Sequence, residues 1–222
     1  MKILAIDTSS ELCLTALLEN EELIGENNLD NGRTHSENLM ILIKELLGKN
    51  KLDVKDLNLI ACSVGPGSFT GIRIGVSSIK GIAEVLNIPV ISVTSLEALS
   101  ENIDKKDITR VSLIDAKNNQ VYCGIFSNGK EEYIADDINI IIDKIKTYKN
   151  IVCVGNGATL HKELLKQKID NIGFVDNNNC SAVNIGKIGY RKFLNNDYKD
   201  ADTILPIYLR KSQAERKSDN KG

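Results

Sequence analysis

Two aspartates of this 222-residue chain follow apolar segments and precede short polar turns, an arrangement that can hold a phosphate group. Asp7 follows Leu4-Ala5-Ile6, and Asp115 follows Ser112-Leu113-Ile114. Two glycine-rich turns come later in the chain, Gly65-Pro66-Gly67 and Gly155-Asn156-Gly157. Glycine lets backbone amides approach an anion closely, so these four features together outline a candidate nucleotide site.

The turns after the two aspartates argue against phosphate binding. Residues 8–11 and 116–119 contain no glycine, and Glu11 would repel an anion. No segment matches the GxxxxGK[ST] pattern of a phosphate-binding loop. The glycine turns could hold the adenosine end of a nucleotide, or they could be ordinary tight turns before helices. We therefore predict no cofactor, and we interpret Asp7 and Asp115 as turn-forming or helix-capping residues.

The residues that usually bind metals or act as nucleophiles are scattered along the chain. His35 and His161 are the two histidines, and they lie far apart in sequence. Ser68 lies outside a G-x-S-x-G elbow. The five cysteines form no CxxC pair, which favours buried free thiols over a zinc site or a disulfide framework. No catalytic or metal-binding residue is predicted, although a triad assembled only by folding stays open.

The charge balance weighs against strong binding of nucleic acid by the chain alone. It has 28 basic and 30 acidic residues, for a net charge of −2. Much of the affinity for nucleic acid comes from neutralised phosphates, so we expect weak tRNA binding. The basic residues cluster only after Leu209, in a polar tail of residues 210–222 that we interpret as a solvated end.

Hydropathy places the chain among soluble globular proteins. The apolar fraction is 42% and the charged fraction 26%. No apolar run approaches the ~20 residues of a membrane helix, and the first residues resemble a strand more than a signal peptide. We expect a cytoplasmic protein that does not contact a membrane.

The segments that carry the two aspartates belong to an internal duplication. In each half an apolar strand ends in aspartate, a second strand returns and a third follows. A helix comes next, then an apolar strand that runs into a G-x-G turn and another helix. The pattern predicts an α/β protein with a duplicated actin-like (ASKHA) two-lobe fold, each lobe a mixed sheet with flanking helices. We predict lobes at 1–102 and 103–209, with a last helix near 181–194 that can cross back to the first lobe.

Several blocks of the sequence resemble the TsaB (YeaZ) family, a glycoprotease-like group. The most specific is Gly65-Pro66-Gly67-Ser68-Phe69-Thr70-Gly71-Ile72-Arg73-Ile74-Gly75. Others are the opening Ile3-Leu4-Ala5-Ile6-Asp7-Thr8-Ser9, the run His35-Ser36-Glu37-Asn38-Leu39, and Pro206-Ile207-Tyr208-Leu209-Arg210. The blocks lie in the order of the family and extend from residue 3 to residue 210.

The resemblance implies a protein without catalytic activity. TsaD, the related transferase, carries two histidine metal ligands in a V-N-H-L-E-G-H run. The matching run here is Val93-Thr94-Ser95-Leu96-Glu97-Ala98-Leu99, so Ser95 and Leu99 stand at the histidine positions. A leucine side chain cannot bind a metal, and a serine hydroxyl is a poor ligand without charged neighbours.

The resemblance also implies the partners. The chain would bind TsaD and support recruitment of the ATPase TsaE, so that TsaD transfers threonylcarbamoyl to the adenosine beside the anticodon. It would meet tRNA only through this complex, and alone it would form a homodimer.

Two helices are the predicted partner surface. The first should begin at Thr34 and end near Gly48, with an apolar stripe too wide for a helix that packs on one side only. The second should run from Gly71 to Asn87 and carry small residues on one face, at a cost of about 1 kcal/mol for each glycine. A helix packed by its own chain on both sides is the alternative. The predicted partner-binding residues are Leu39, Met40, Ile43, Leu47, Gly71, Gly75, Ser78 and Ile82.

Two other functions stay open at this point. One is an independent actin-fold ATPase or phosphotransferase, which nucleotide titration would detect. The other is a self-associating structural protein without a tRNA role, which mixing with TsaD would distinguish.

Overall fold

The computed structural model describes residues 1–29, 35–105 and 107–210. These residues form two compact units, each built on a mixed five-stranded sheet. One unit contains Met1–Glu101 and Cys180–Pro206, and the other contains Asn102–Asn179 and the segment that begins at Ile207.

The first sheet has the strand order β3-β2-β1-β4-β5. Its strands are β1 (Lys2–Asp7), β2 (Cys13–Glu19), β3 (Glu22–Leu29), β4 (Leu59–Ser63) and β5 (Val90–Val93). The first three strands form an antiparallel meander, and β4 and β5 join β1 in parallel. Strands β1 and β4 are apolar along nearly their whole length because both faces of the sheet are covered.

Helices cover the two faces of the first sheet. Helix α1 (His35–Lys49) and helix α2 (Phe69–Leu86) pack on one face, against Leu4, Leu17 and Ile60. Helix α3 (Ser95–Ser100) follows β5 directly. Residues 54–56 and 201–203 form single turns of 3₁₀ helix.

The second sheet has the order β10-β9-β6-β7-β8. Its strands are β6 (Thr109–Asp115), β7 (Gln120–Ser127), β8 (Lys130–Asp137), β9 (Ile151–Val154) and β10 (Gly173–Phe174). Its helices are α4 (Ile138–Ile145), α5 (Asn156–Leu160) and α6 (Lys162–Lys168), and α4 places Ile138, Ile141 and Ile142 in the core.

The two sheets share one topology. In both, a three-strand antiparallel meander is extended in parallel, through its first strand, by the fourth and fifth strands. The predicted duplication and the mixed sheet of each half are therefore confirmed.

The last helix, α7 (Ala182–Leu194), packs on the second face of the first sheet. Its Ala182, Ile185 and Ile188 lie in one buried cluster with Ile3 and Ala61. Residues 180–206 therefore belong to the compact unit of residues 1–101, whereas the sequence assigned 103–209 to one lobe. The predicted and observed boundaries differ because α7 packs on the first sheet, a crossing that the sequence analysis had allowed for.

Two earlier expectations fall on residues that the structure does not describe. The cap of α1 at Thr34 and the tail beyond Arg210 lie outside the described ranges. Within those ranges, no helix is long and apolar enough to cross a membrane.

Candidate functional site

The turn after Asp7 is closed by its own side chains. The Asp7 carboxylate accepts a hydrogen bond from the Ser9 amide at 2.8 Å, which is an Asx-turn. The Thr8 hydroxyl donates to the carbonyl of Gly71 in α2 at 2.7 Å. Asp7 and Thr8 are both fully buried. The turn therefore ties β1 to α2, as expected of a turn-forming aspartate.

The first glycine loop is occupied by the same turn. The Ser68 amide donates to the Ser9 carbonyl at 2.7 Å, and a Cβ on Gly67 would lie only 2.2 Å from that oxygen. The Ser95 amide donates to the Gly65 carbonyl at 2.9 Å. Glycine is needed at position 67 because backbone approaches backbone there. The polar backbone groups of this loop form hydrogen bonds with other parts of the same chain, which agrees with the interpretation of the loop as a tight turn.

The second aspartate turn repeats the first. Asp115 accepts from the Lys117 amide at 2.8 Å, and the Lys117 ammonium lies 2.9 Å from the other carboxylate oxygen. Partial burial opposes ionisation of Asp115. The hydrogen bonds from Lys117 outweigh that effect, so the pKa of the carboxyl lies below its ordinary value. Asp115 is thus also a turn-forming residue, already paired with a cation of its own turn.

Ser95 and Leu99, the two positions that the sequence analysis compared with histidines, lie in a packed interior. Ser95 is fully buried, and its hydroxyl forms 2.9 Å hydrogen bonds with the hydroxyls of Ser63 and Ser9. Leu99 is buried as well. Across residues 1–29, 35–105 and 107–210, no group of three His, Cys, Asp or Glu side chains could hold a metal ion.

Helix α3 begins at a capping box that the sequence interpretation did not use. The Thr94 hydroxyl accepts from the Glu97 amide at 3.0 Å, and the Glu97 carboxylate accepts from the Thr94 amide at 2.6 Å. Lys192 of α7 pairs with the same carboxylate at 2.6 Å. The T-x-x-E spacing was the available signal. These residues fix the segment that carries Ser95.

The cysteines are free, and four of the five are buried. Burial, together with the nearby Asp7 charge, raises the pKa of Cys13 to about 11. Burial raises the pKa of Cys153 to about 12, and it also raises the pKa of Cys62 and Cys180. A thiol with such a pKa stays protonated near neutral pH and is a poor nucleophile. The buried free thiols expected from the sequence are confirmed for Cys13, Cys62, Cys123 and Cys153.

The structure corrects the prediction for three of the four partner-binding residues on α1. Leu39, Ile43 and Leu47 are at most 5% exposed and belong to the core beneath the first sheet. Met40, by contrast, is 51% exposed. The apolar arc of α1 is wide because one side enters the core and the other faces outward. His35 begins the helix, and its Nε2 lies 2.9 Å from the Ser10 carbonyl.

Two glycines of α2, Gly71 and Gly75, also face inward. A Cβ on Gly71 would lie 2.0 Å from the Thr8 carbonyl oxygen, and one on Gly75 would lie 2.3 Å from the Thr8 hydroxyl. The small-residue face therefore accommodates the β1–β2 turn and not a partner helix, which corrects that prediction for Gly71 and Gly75. Ser78 and Ile82, further along the same side, are half-buried.

Outward-facing apolar side chains remain on both helices. Ile41 is 54% exposed beside Met40, and Val85 is 84% exposed one turn after Ile82. We define the α1–α2 patch as Met40, Ile41, Ser78, Ile82 and Val85. Neither Ile41 nor Val85 was among the predicted residues.

Comparison with known proteins first defines the class and then the family. A family model described as TsaD, tRNA N6-adenosine threonylcarbamoyltransferase, matches residues 30–218. The tRNA threonylcarbamoyladenosine biosynthesis protein TsaB of Bacillus subtilis (strain 168) is 33% identical over 226 residues, covering 98% of this chain and 97% of that protein. The chain thus falls in the TsaD-related class of actin-like proteins. Within that class it belongs to the TsaB (YeaZ) family.

Solved structures agree on the fold. An uncharacterized protein with similarity to peptidase YeaZ, from Pseudomonas aeruginosa, has a TM-score of 0.79 at 23% identity, covering 94% of this chain and 99% of that one. The inorganic polyphosphate/ATP-glucomannokinase of Arthrobacter sp. strain KM has a TM-score of 0.55 at 10% identity, covering 86% and 98%. The predicted actin-like fold is confirmed.

Proposed function

We propose that this protein is a non-catalytic, cytoplasmic subunit in the synthesis of threonylcarbamoyladenosine in tRNA. It binds TsaD, supports recruitment of TsaE, and contacts tRNA only through the complex. Without TsaD it pairs with a second copy of itself. Membership of the TsaB family supports the pathway, because the relatives carry that pathway in their names.

The α1–α2 patch is the observation that carries the partner-binding role. The two helices use their inner sides for the core of the first unit, so their outer apolar side chains are available to another protein. Apolar groups rimmed by polar residues mark interaction sites more often than bare solvent surface. On α1, the exposed Lys44 and Glu45 follow Met40 and Ile41 by one helical turn and supply polar neighbours.

The interior of the first unit supports the non-catalytic part of the proposal. The serine hydroxyl at position 95 is engaged with two other serines, and Leu99 contributes only packing. The Ser9 carbonyl packs against Gly67 and accepts a hydrogen bond from the Ser68 amide, so the chain itself occupies this side of the glycine loop. A metal-assisted transfer would have to be carried out by TsaD.

Charge substitution in the patch tests the proposal. Ile41→Asp or Val85→Asp would place an unpaired carboxylate in the contact, and we expect affinity for TsaD to fall more than ~30-fold. Both side chains are exposed in the free chain, so thermal melting should stay nearly unchanged. Isothermal titration with TsaD and a melting curve for each variant are the measurements.

Ile140→Asp is the matched control. Ile140 is 55% exposed on α4 of the second unit, almost the same as Ile41. It should leave both TsaD affinity and melting unchanged. Equal loss of affinity for Ile41→Asp and Ile140→Asp, or no loss for either patch variant, would reject the patch as the TsaD surface.

A second pair of measurements separates the subunit role from an independent ATPase. In the presence of ATP, TsaE should associate with the chain only when TsaD is also present. The chain alone should hydrolyse no ATP. The chain alone should also bind tRNA weakly, given its net charge of −2. Turnover by the purified chain, or sub-micromolar tRNA binding at physiological salt, would contradict the proposal.

A further inference from the structure

The sequence contains three Asn-Gly pairs, a dipeptide that is chemically reactive. They are Asn31-Gly32, Asn128-Gly129 and Asn156-Gly157. The backbone nitrogen that follows an asparagine can attack the side-chain amide carbon of that asparagine, and glycine leaves this nitrogen unhindered because it has no Cβ. The first pair lies outside the described residues, whereas the other two have defined and very different surroundings.

Asn128-Gly129 forms the tip of the β7–β8 hairpin. Both residues are exposed, and both have positive φ angles, 51° and 72°. They connect the strands beyond the pair Ser127–Lys130, as in a two-residue type I′ turn. A Cβ on Gly129 would meet no atom within 4 Å. Within the described ranges the Asn128 side chain has no hydrogen-bond partner, so both reacting groups are unhindered.

Asn156-Gly157, by contrast, is held by the fold. Asn156 is the first residue of α5, and its Oδ1 accepts a hydrogen bond from the Asp115 amide at 3.0 Å. Gly157 is buried, and a Cβ there would lie 3.0 Å from the Leu113 carbonyl oxygen on β6. Its own carbonyl accepts from the His161 amide at 3.1 Å. Rotation of this backbone would break the first turn of α5 and its packing on β6.

The free-energy cost of bringing the reacting atoms together therefore differs between the two pairs. At either pair the backbone must rotate until the glycine nitrogen faces the side-chain amide carbon. At the hairpin tip this rotation disturbs only an exposed turn and the terminal pair Ser127–Lys130, and such tips open at little cost. In α5 it requires local unfolding. The same dipeptide should react at one site and be protected at the other.

We propose that Asn128 is a site of spontaneous deamidation whose isoaspartate product opens the end of the β7–β8 hairpin. The Gly129 nitrogen attacks Cγ of Asn128, and a nitrogen–Cγ bond forms. The bond from Cγ to the side-chain nitrogen breaks, and ammonia leaves with the proton that the Gly129 nitrogen gives up. A solvent water then opens the cyclic imide at either carbonyl carbon, which gives aspartate or isoaspartate without any change of oxidation state.

The two products differ in their effect on the hairpin. Aspartate followed by glycine is compatible with a type I′ turn. Isoaspartate directs the main chain through the former side chain and lengthens it by one carbon. A two-residue turn then no longer fits between Ser127 and Lys130. The isoaspartate form should lose strand pairing at this end of β7 and β8.

Peptide mapping of the aged full-length chain tests the site. The protein is incubated at neutral pH, both folded and in urea, and fragment masses locate each asparagine converted to aspartate or isoaspartate. In urea Asn128 and Asn156 should react at similar rates, because both precede glycine. In the folded chain Asn156 should slow more than ~ten-fold and Asn128 less than ~three-fold. Slowing of Asn128 as large as that of Asn156 would overturn the proposal.

Hydrogen exchange tests the effect on the hairpin. The isoaspartate form, separated by chromatography, should exchange the amides of residues 127–131 about two-fold faster or more than the parent protein, with β6 and β9 unchanged. Asn128→Asp is the matched control, because it adds the same charge without the longer main chain, and its exchange should match that of the parent protein. Equal exchange in the isoaspartate form and in Asn128→Asp would reject the opening of the hairpin.

Discussion

At the scale of single residues, the glycines of α2 differ sharply in what surrounds them. Gly71 and Gly75 contact Thr8, whereas a Cβ on Gly81 would meet no atom within 4 Å. The sequence gives all three the same cost, about 1 kcal/mol each relative to alanine in a helix. Glycine is required for packing only at positions 71 and 75, because the β1–β2 turn lies against the helix backbone there.

Alanine substitutions should separate these roles. Gly71→Ala would place a methyl 2.0 Å from the Thr8 carbonyl oxygen. Since that oxygen belongs to the backbone, we expect a loss of about 1–3 kcal/mol in the free energy of unfolding. Gly81→Ala should raise it by up to about 1 kcal/mol, since only helix propensity changes. Urea denaturation of the two variants checks both signs, and equal effects at the two positions would contradict the packing described here.

Residue types alone predicted the aspartate turns but not the glycine contacts. Asp7 and Asp115 each cap an amide two residues later, a local interaction that short-range sequence determines. The partner of Gly71 is Thr8, 63 residues away, and local spacing does not identify such a partner. Spacing showed that some backbone approaches α2 closely, and a helix of another protein was the wrong choice of partner.

At the scale of elements, periodicity located the helices more accurately than it assigned their faces. The predicted span of α2 from 71 to 87 compares with Phe69–Leu86, capped by Ser68. The stripe Leu39, Ile43 and Leu47 was recognised as apolar, yet it lies in the core, and the outward residues are Met40 and Ile41. An apolar arc wider than one face contains a core side and an exposed side. The sequence alone does not show which residues of the arc lie on which side.

The β6–β7 hairpin carries a pH dependence with a defined sign. The folded-state pKa of Asp115 lies below its ordinary value because Lys117 stabilises the carboxylate against the opposing effect of burial. A carboxyl whose pKa is depressed on folding adds stability above its unfolded pKa of about 3.9, and this stability is lost as the pH falls through the folded value. The hairpin should therefore weaken on acidification below about pH 4.

Asp115→Asn tests this assignment. Asparagine keeps an oxygen that can accept from the Lys117 amide but removes the charge. The free energy of unfolding of the variant should fall less than that of the parent protein between pH 5 and pH 3. Asp137 and Asp143, whose pKa values are also lowered, remain in both proteins and serve as an internal background. Parallel pH profiles would show that the Asp115–Lys117 pair does not contribute.

At the scale of the whole molecule, the duplication was predictable because it is repeated in the sequence. Two aspartate-ended strands, two meanders and two G-x-G turns recur in the same order, and the sheets have the same topology. The assignment of residues 180–206 was less accessible. The amphipathic pattern of α7 predicts that one face packs on an apolar surface. Both sheets have such a surface, so the pattern does not show which of them α7 covers. In the structure α7 packs on the first sheet.

The contribution of α7 to the first unit gives a final prediction. A Cβ on Gly189 would lie 2.5 Å from the Cβ of Ala61, a methyl fixed to the interior strand β4. Gly189→Val should therefore push α7 away from the sheet and cost about 1–3 kcal/mol or more. Hydrogen exchange should become faster in β1 and β4, while β6, β7 and β9 keep their protection. Helix propensity favours valine over glycine, so it cannot explain a loss at position 189. Leu194→Val, at an exposed position of the same helix, controls for a valine in α7 that does not face the sheet. Because residues 1–101 and 180–206 form one core, a change near residue 189 reaches strands that precede it by more than a hundred positions. Faster exchange confined to β6–β9 would show that α7 stabilises the other unit instead.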